Sequence, residues 1–424
     1  MGMIINIDKA LELRSDYNIL REPLNEMLRN QQEAWERENP IDMLFTRGSI
    51  ATFQETYTSS IGFAHAFAET GDYAVGPIFN TAEGFSSTYR TRTFQGGFII
   101  TQQTLEDRQL GKAKDDASAF IKRWHGDVVE YSMAAISGGF GRYNAGVITP
   151  IEVTWGSDAN GGVSRLKLTS ADTTDGVIDG VKNPLFCKYH TTVKRADGGA
   201  VLKQSNIFYA DIDLAGSDAG KIAKLADVIN QVITQMENYR DDNGKRAGVI
   251  GAKTIVCGND AHLKAALETA VSMDMFNGMG QMTGLNPAYK RATVQTTPYL
   301  LDIAQCKDGI GFFIVDKSYN AENHGPELTE RIALTLDVNE TKRPNGITYD
   351  ARERFDINAA SWRGIAYVLL GSKNLSKTAP DWNYAGNANG TFTDATSPLT
   401  QIIPADTIVK PVSVVGTVST KAEA

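Results

Sequence analysis

Cysteine is scarce in this chain, and the three present, Cys187, Cys257 and Cys306, lie far apart. That spacing excludes a disulfide framework and a CxxC metal clip, and it predicts reduced, buried thiols. Long apolar runs are missing. The longest clean one, Ile365 to Leu370, is strand-sized, well short of the roughly 18 residues of a membrane helix. Basic charge is in deficit: 42 Lys+Arg stand against 50 Asp+Glu, a net charge of −8. A protein devoted to gripping nucleic acid is usually basic, so specific DNA or RNA recognition is disfavoured. The opening MGMIINIDKALELR lacks the basic-then-apolar order of a signal peptide. Asn6 stands where a myristoylation signal needs Ser or Thr.

Catalytic motifs are absent as well. No two of His65, His125, His190, His262 and His324 are close enough for a helical zinc motif. GxxxxGK[ST] and GxSxG do not occur. Gly138-Gly139-Phe140-Gly141 is glycine-rich but follows a helix, whereas a phosphate cradle precedes one. Asp172 to Asp179 resembles a calcium loop only in composition: Gly176, Val177 and Asn183 stand where a ligand, a turn glycine and a bidentate Glu are needed. Asp211 and Asp213 read as solvated strand-end carboxylates. Cys257, ahead of a helix, is the least implausible nucleophile, and a core cysteine is the competing reading. The chain is therefore read as a non-enzyme without cofactor or metal.

What is present is a folded chain. Hydrophobic residues make up 42% and charged residues 22%, ordinary values for a globular protein. Its 424 residues allow about two or three domains. Residues 1–48 are polar, with nine Asp/Glu against six Lys/Arg, and Pro23 opens a helix with a narrow stripe of Leu20, Leu24, Met27 and Leu28. This arm packs on something else. Across 49–101, Ser87 to Phe94 alternates as an exposed strand, with Thr52 to Phe67 as its partner. An isolated hairpin of this kind is marginal in water and needs another surface. Residues 104–137 form the clearest helix, capped by Thr104 with Glu106 and Asp107 in its first turn. Its apolar series runs from Ala113 through Phe120, Trp124 and Tyr131 to Ala135, and Gly138-Gly139 end it.

Residues 142–212 read as a small all-β unit. A second amphipathic helix spans 220–238. A buried strand at Thr254 to Cys257, a helix at Asn259 to Ala270 and strands at Ala292–Thr296 and Ile310–Val315 follow. Arg352 to Leu370 reads as strand. The loop from Met275 to Met282 either folds into the core or adapts to neighbours. Arg90 and Arg92 share a strand face, either solvated or turned to carboxylates of another subunit.

Ordered along the chain, these pieces resemble a known family. Phe98-Ile99-Ile100 leads into Thr104-Leu105-Glu106-Asp107, a long helix and Ile136-Ser137-Gly138-Gly139-Phe140-Gly141. This order resembles the hairpin-to-spine-helix junction of tailed-phage major capsid proteins, the HK97-like fold. Lys221 to Asn238 with Thr254 to Ala261 is similar to the family's axial helix, strand and helix. Arg352 to Asp356 through Trp362 to Ile365 is similar to its returning strand. The resemblance covers roughly residues 1–141 and 215–371.

The resemblance implies an α+β chain with an N-terminal arm (1–48), an E-loop hairpin (49–101) and a peripheral domain with the spine helix (102–141). A β-rich insertion (142–214), an axial domain (215–345), a peripheral return strand (346–371) and a C-terminal extension (372–424) follow. It implies a structural protein that self-assembles into hexamers and pentamers of a virion capsid, built in the host cytoplasm. Its implied partners are a portal, a separate scaffolding protein and packaged DNA held non-specifically, with no membrane. Intersubunit contact candidates are Arg90, Arg92, Phe94, Met275, Phe276 and Met279. Some members crosslink an E-loop lysine to a neighbour. No lysine lies between Lys9 and Lys112 here, so a noncovalent shell is expected. Competing readings are an encapsulin-like compartment, a soluble hydrolase using Cys257, and a carbohydrate-binding module at 142–212 or 372–424.

Overall fold

The computed structural model describes residues 4–6, 26, 29–35, 39–61, 78, 81–101, 103, 110–144, 147–157, 162–187, 190–194, 201–210, 212, 214, 219–276, 284–303, 305–306, 309–342 and 345–371. The first strands are β1 (Ile4–Asn6), β2 (Thr46–Ser49), β3 (Gln54–Ser60), β4 (Glu83–Arg90) and β5 (Arg92–Thr101). Helix α1 (Leu110–Ser137) follows. Short strands come next: β6 (Gly141–Asn144), β7 (Val147–Pro150), β8 (Val153–Ser157), β9 (Gly162–Leu166) and β10 (Thr169–Thr173). They continue with β11 (Lys182–Pro184), β12 (His190–Thr191), β13 (Lys203–Gln204) and β14 (Ile207–Ala210). Then come α2 (Ala219–Glu237), β15 (Lys253–Gly258), α3 (Ala261–Ser272), β16 (Met275–Phe276), β17 (Gly284–Leu285) and β18 (Ala292–Thr297). The last elements are β19 (Gly311–Asp316), α4 (Lys317–Glu322), β20 (Glu327–Lys342), β21 (Asn345–Asn358) and β22 (Ile365–Leu370). The architecture is α+β.

Two five-stranded sheets organise these elements. In the first, β20 and β21 form a long antiparallel ribbon and β5 adds antiparallel to β21. On the far side of β20, β1 and β2 pair parallel to different stretches of the same strand. Helix α1 crosses one face. Ala117 and Ile121 meet Ile100, Leu334, Leu336, Ile347, Tyr349 and Ala351 there, all buried. Alternation along β21 dictates this register, because a slip of one residue turns the apolar set outward.

The second sheet runs β14-β22-β19-β15-β18. Every residue of its central strands β19 and β22 is buried, so these strands read as continuous apolar runs rather than alternating ones. Helix α2 contributes Leu225, Val228, Ile229, Val232 and Ile233 to the core, and α3 contributes Leu263, Leu267 and Val271. Asp260 caps α3 by accepting from the Leu263 N–H at 2.8 Å.

Gly138 and Gly139 end α1 for a packing reason. A Cβ on Gly138 would meet the Leu166 carbonyl oxygen at 2.7 Å, and one on Gly139 would meet the Phe186 ring at 3.3 Å. The expected cap at Thr104, Glu106 and Asp107 lies outside the described residues, as do the arm residues Leu20 to Leu24 and the extension 372–424.

Three features differ from the sequence reading. The β-rich stretch after α1 is not a separate unit. Its strands up to β13 form two-stranded pairs only. Leu166, Leu168, Leu185 and Phe186 enter the main core, with Phe186 stacked on Phe140 at 4.5 Å. Its last strand, β14, joins the second sheet beside β22. The long strand expected over Arg352 to Leu370 divides: β21 stays in the first sheet, and the all-buried Ile365–Leu370 moves to the second. Sixteen-residue β20 was not anticipated, because register shifts between Glu330 and Thr335 interrupt its alternation.

Candidate assembly surfaces

Strands β3 and β4 pair from Gln54↔Arg90 to Ser60↔Glu83. One side of this hairpin rests on the chain. Phe85 packs with Ala171 and Val193. The Tyr57 ring lies 4.2 Å from His324 and 4.7 Å from Tyr89, and the Tyr89 hydroxyl donates to the His324 carbonyl at 3.2 Å. The Lys182 ammonium donates to the Ser86 and Ala171 carbonyls, tying the hairpin to β10. The other side, with Gln54, Thr56, Thr58 and Thr88, is exposed.

The hairpin strand stops at buried Thr91. Arg90 ends β4 and is exposed. Arg92 opens β5 and is used inside the chain: its Nε donates to Asp356 Oδ2 at 3.0 Å and its Nη2 to the Arg165 carbonyl at 2.8 Å. Asp356 also accepts from the Tyr131 hydroxyl at 2.6 Å. Burial pushes the Asp356 carboxyl up, against the pull of Tyr131 and Arg92. Phe94 stacks on Phe355 at 4.6 Å and meets Tyr131 edge-on at 5.1 Å. The expectation of one face shared by Arg90 and Arg92 is therefore corrected, because the chain changes sheets between them. Arg92 and Phe94 lock β5 to α1 and β21.

A second surface lies at the end of the other sheet where β15 begins and α3 finishes. Met275 pairs with Leu285 across the small β16–β17 hairpin. Met275 is 42% exposed and Leu285 83%, with Met273 and Tyr289 beside them in the chain also exposed. Phe276 pairs with Gly284 through the backbone. Met279 lies outside the described residues. Ile250, 82% exposed, sits on the loop entering β15. Its flanking carbonyls are clamped: the buried Lys253 ammonium donates to Val249 O at 3.1 Å, Gly251 O at 2.7 Å and Asp316 Oδ2 at 2.7 Å. The clamp fixes the backbone on either side of Ile250, so its exposed side chain is preorganised for contact. The sequence reading missed Ile250; its Gly-Val-Ile-Gly setting was the available signal.

The buried titratable groups serve packing and hydrogen-bond networks. Cys257 is buried, and burial pushes its thiol up to about 12, which leaves no thiolate for attack. His190 Nδ1 lies 3.1 Å from Asp172 Oδ1 and its Nε2 3.1 Å from Asn206 Oδ1, with the ring stacked on Trp362 at 4.1 Å. Burial opposes charge on Asp172. His190, Ser170 and Asn183 together outweigh it and hold the carboxyl below its ordinary value. His125 stacks on Trp35 at 4.5 Å and meets Gln32 Oε1 at 2.8 Å, and burial pushes the ring down to about 4. Among the described residues no cluster of His, Cys, Asp and Glu is arranged to hold a metal, and no helix is long and apolar enough to cross a membrane. Asp211 and Asp213 lie outside the described residues.

No family model matches the chain, and no curated protein matches it. Solved structures do. The chain resembles phage capsid proteins. One is from Mycobacterium phage Patience, at 11% identity and a TM-score of 0.41, covering 92% of this chain and 98% of that one. Another is the capsid of an empty GTA particle, at 11% identity and a TM-score of 0.40, covering 78% and 89%. A virus-like particle from Pyrococcus furiosus is similar at 7% identity and a TM-score of 0.39, covering 84% and 100%.

Proposed function

We propose that this chain is a structural shell protein with an HK97-like fold, assembling as hexamers and pentamers into the head of a tailed phage. The observation that carries this reading is the β3–β4 hairpin. It is a long two-stranded ribbon with one face open to solvent, and a ribbon of that kind is marginal without further cover. The apolar end of the second sheet, exposed among the described residues, is a separate surface. Two different surfaces on one chain favour head-to-tail contact, the kind that closes into rings. In this reading α1 is the spine, the β5-β21-β20 sheet the peripheral domain, and the sheet around β15 the axial domain, so β20 leaves the axial span expected at 215–345 and β22 leaves the peripheral return strand expected at 346–371. The buried thiol of Cys257 and the buried, hydrogen-bonded rings of His125 and His190 are used in packing, which supports a structural role.

Portal, scaffolding protein and non-specifically held DNA are the partners this function calls for, with assembly in the host cytoplasm. Noncovalent contacts suffice, because residues 49–101 contain no lysine. Electron microscopy of the protein, expressed alone and with its neighbouring genes, tests the reading. Closed shells or rings of five- or six-fold symmetry are expected. A compact monomer under both conditions contradicts it. Shells filled with protein cargo rather than DNA favour an encapsulin-like compartment instead.

A further inference from the structure

The last two turns of α1 carry Glu130, Met133, Ala134 and Ser137 at helical spacing, so the four share one face. Across from them stand Val153 of β8 and, from the connection between β18 and β19, Asp302 and Ile303. The space left between these elements is an open cavity of about 330 Å³.

Its floor is apolar. Met133 and Ile303 are buried, and Ala134 and Val153 are half-buried. The Ser137 hydroxyl is used internally, donating to Gln305 Oε1 at 2.9 Å. Its charge is of one sign: Glu130 and Asp302 line the cavity, and no lysine or arginine does. Asp302 is exposed and makes no ion pair among the described residues. Glu130 pairs with Arg123 at 3.2 Å, but Arg123 also serves Asp127 at 2.7 Å and is 66% exposed. Desolvation, opposed by Arg123 and reinforced by Glu130, holds the Asp127 carboxyl above its ordinary value. Three carboxylates thus stand against one guanidinium beside an apolar slot.

We propose that this cavity receives a lysine or arginine side chain carried on a basic segment of a separate protein. The alkyl stem covers Met133, Ala134, Val153 and Ile303, while the cationic head stays at the rim with Asp302 and Glu130. Long cationic side chains divide themselves in this way on apolar surface. One anchor seated in a pocket is also how an interface concentrates its affinity. The chain's net charge of −8 favours a basic partner over a second copy, because like-charged copies repel at long range. The cavity is separate from the apolar end at Ile250 and Met275. Strand β18 finishes at Thr297 beside Gly258, the last residue of β15, so the cavity lies at the other end of that six-residue strand, roughly 20 Å away. Such a site serves whether or not the chain builds a shell.

Photo-crosslinking tests this. Tyr299, which also lines the cavity, is replaced by p-azidophenylalanine in the full chain expressed with its neighbouring genes. Mass spectrometry of the adduct is expected to place the crosslink on a separate protein, within a few residues of a lysine or arginine. Glu130→Gln with Asp302→Asn should lower the crosslink yield about tenfold. Glu268→Gln with Glu322→Gln, exposed carboxylates on α3 and α4, should leave it unchanged, and circular dichroism of both pairs should match the parent. A crosslink to a second copy overturns the proposal, as does the absence of a crosslink. Equal loss in the two pairs overturns it in favour of general charge attraction. Electron microscopy of the same preparation reports on shells, so failure of the shell reading and failure of this proposal are separate results.

Discussion

The Trp124 indole N–H donates to Glu353 Oε2 at 2.6 Å, joining the middle of α1 to the centre of β21. Glu353 is half-buried under the helix, and desolvation there pushes its carboxyl up to about 7. The folded value lies above the unfolded one, so the folded chain binds the extra proton between about pH 4.5 and 7. This carboxyl's contribution to stability is therefore greatest below that window and is lost as pH rises through it. Glu353→Gln keeps an acceptor for Trp124 and removes the charge. Urea unfolding of the subunit at pH 5 and pH 8 should show the wild type losing stability relative to the Gln variant as pH rises, whatever the other groups contribute to both. An equal drop in both contradicts the assignment.

The arm docks through His125, whose folded value of about 4 lies below its ordinary 6.5. Here the neutral ring is favoured, so this docking is intact above pH 6.5 and is lost as pH falls toward 4. Amide exchange of residues 29–35 should accelerate between pH 6.5 and 4 after correction for intrinsic rates. Trp35→Ala should produce the same acceleration at neutral pH by removing the stack on His125. Unchanged exchange in both cases means that the arm is held elsewhere.

Asp172 and His190 pin the β-rich stretch to Trp362 and Asn206. Removing one partner of a buried pair strands the other, at a cost of about 3–5 kcal/mol. Asp172→Ala should lower the denaturation midpoint accordingly. The depressed Asp172 carboxyl also makes this pin acid-labile, since its contribution is present above the unfolded value and is lost as pH falls below it. A midpoint within experimental error of wild type is the contrary outcome.

Gly126 sits inside α1, and a Cβ there would meet nothing within 4 Å. Gly126→Ala should stabilise the subunit by about 1 kcal/mol through helix propensity. A destabilised variant would show that the helix needs a glycine there.

The fold was legible where one period dominated. The apolar series of α1 and α2 and the buried run at β15 identified themselves, each within a few residues of the observed bounds. β20 was missed because its bulges break the two-residue period, and the split between β21 and β22 lay in pairing, which no local pattern records. At the candidate surfaces, the Met275 to Met282 loop was readable as apolar and adaptable, and Met275 is exposed. The internal use of Arg92 and Phe94 was not, because it depends on Asp356 and Phe355, more than 250 positions away in the chain.

Native mass spectrometry of the smallest soluble assemblies tests the central claim most directly. The wild-type chain, expressed with its neighbouring genes, should give pentamers and hexamers, and replacing residues 62–80 by a short turn should leave monomers. Two-fold dimers, or assemblies indifferent to loss of the hairpin, contradict the account.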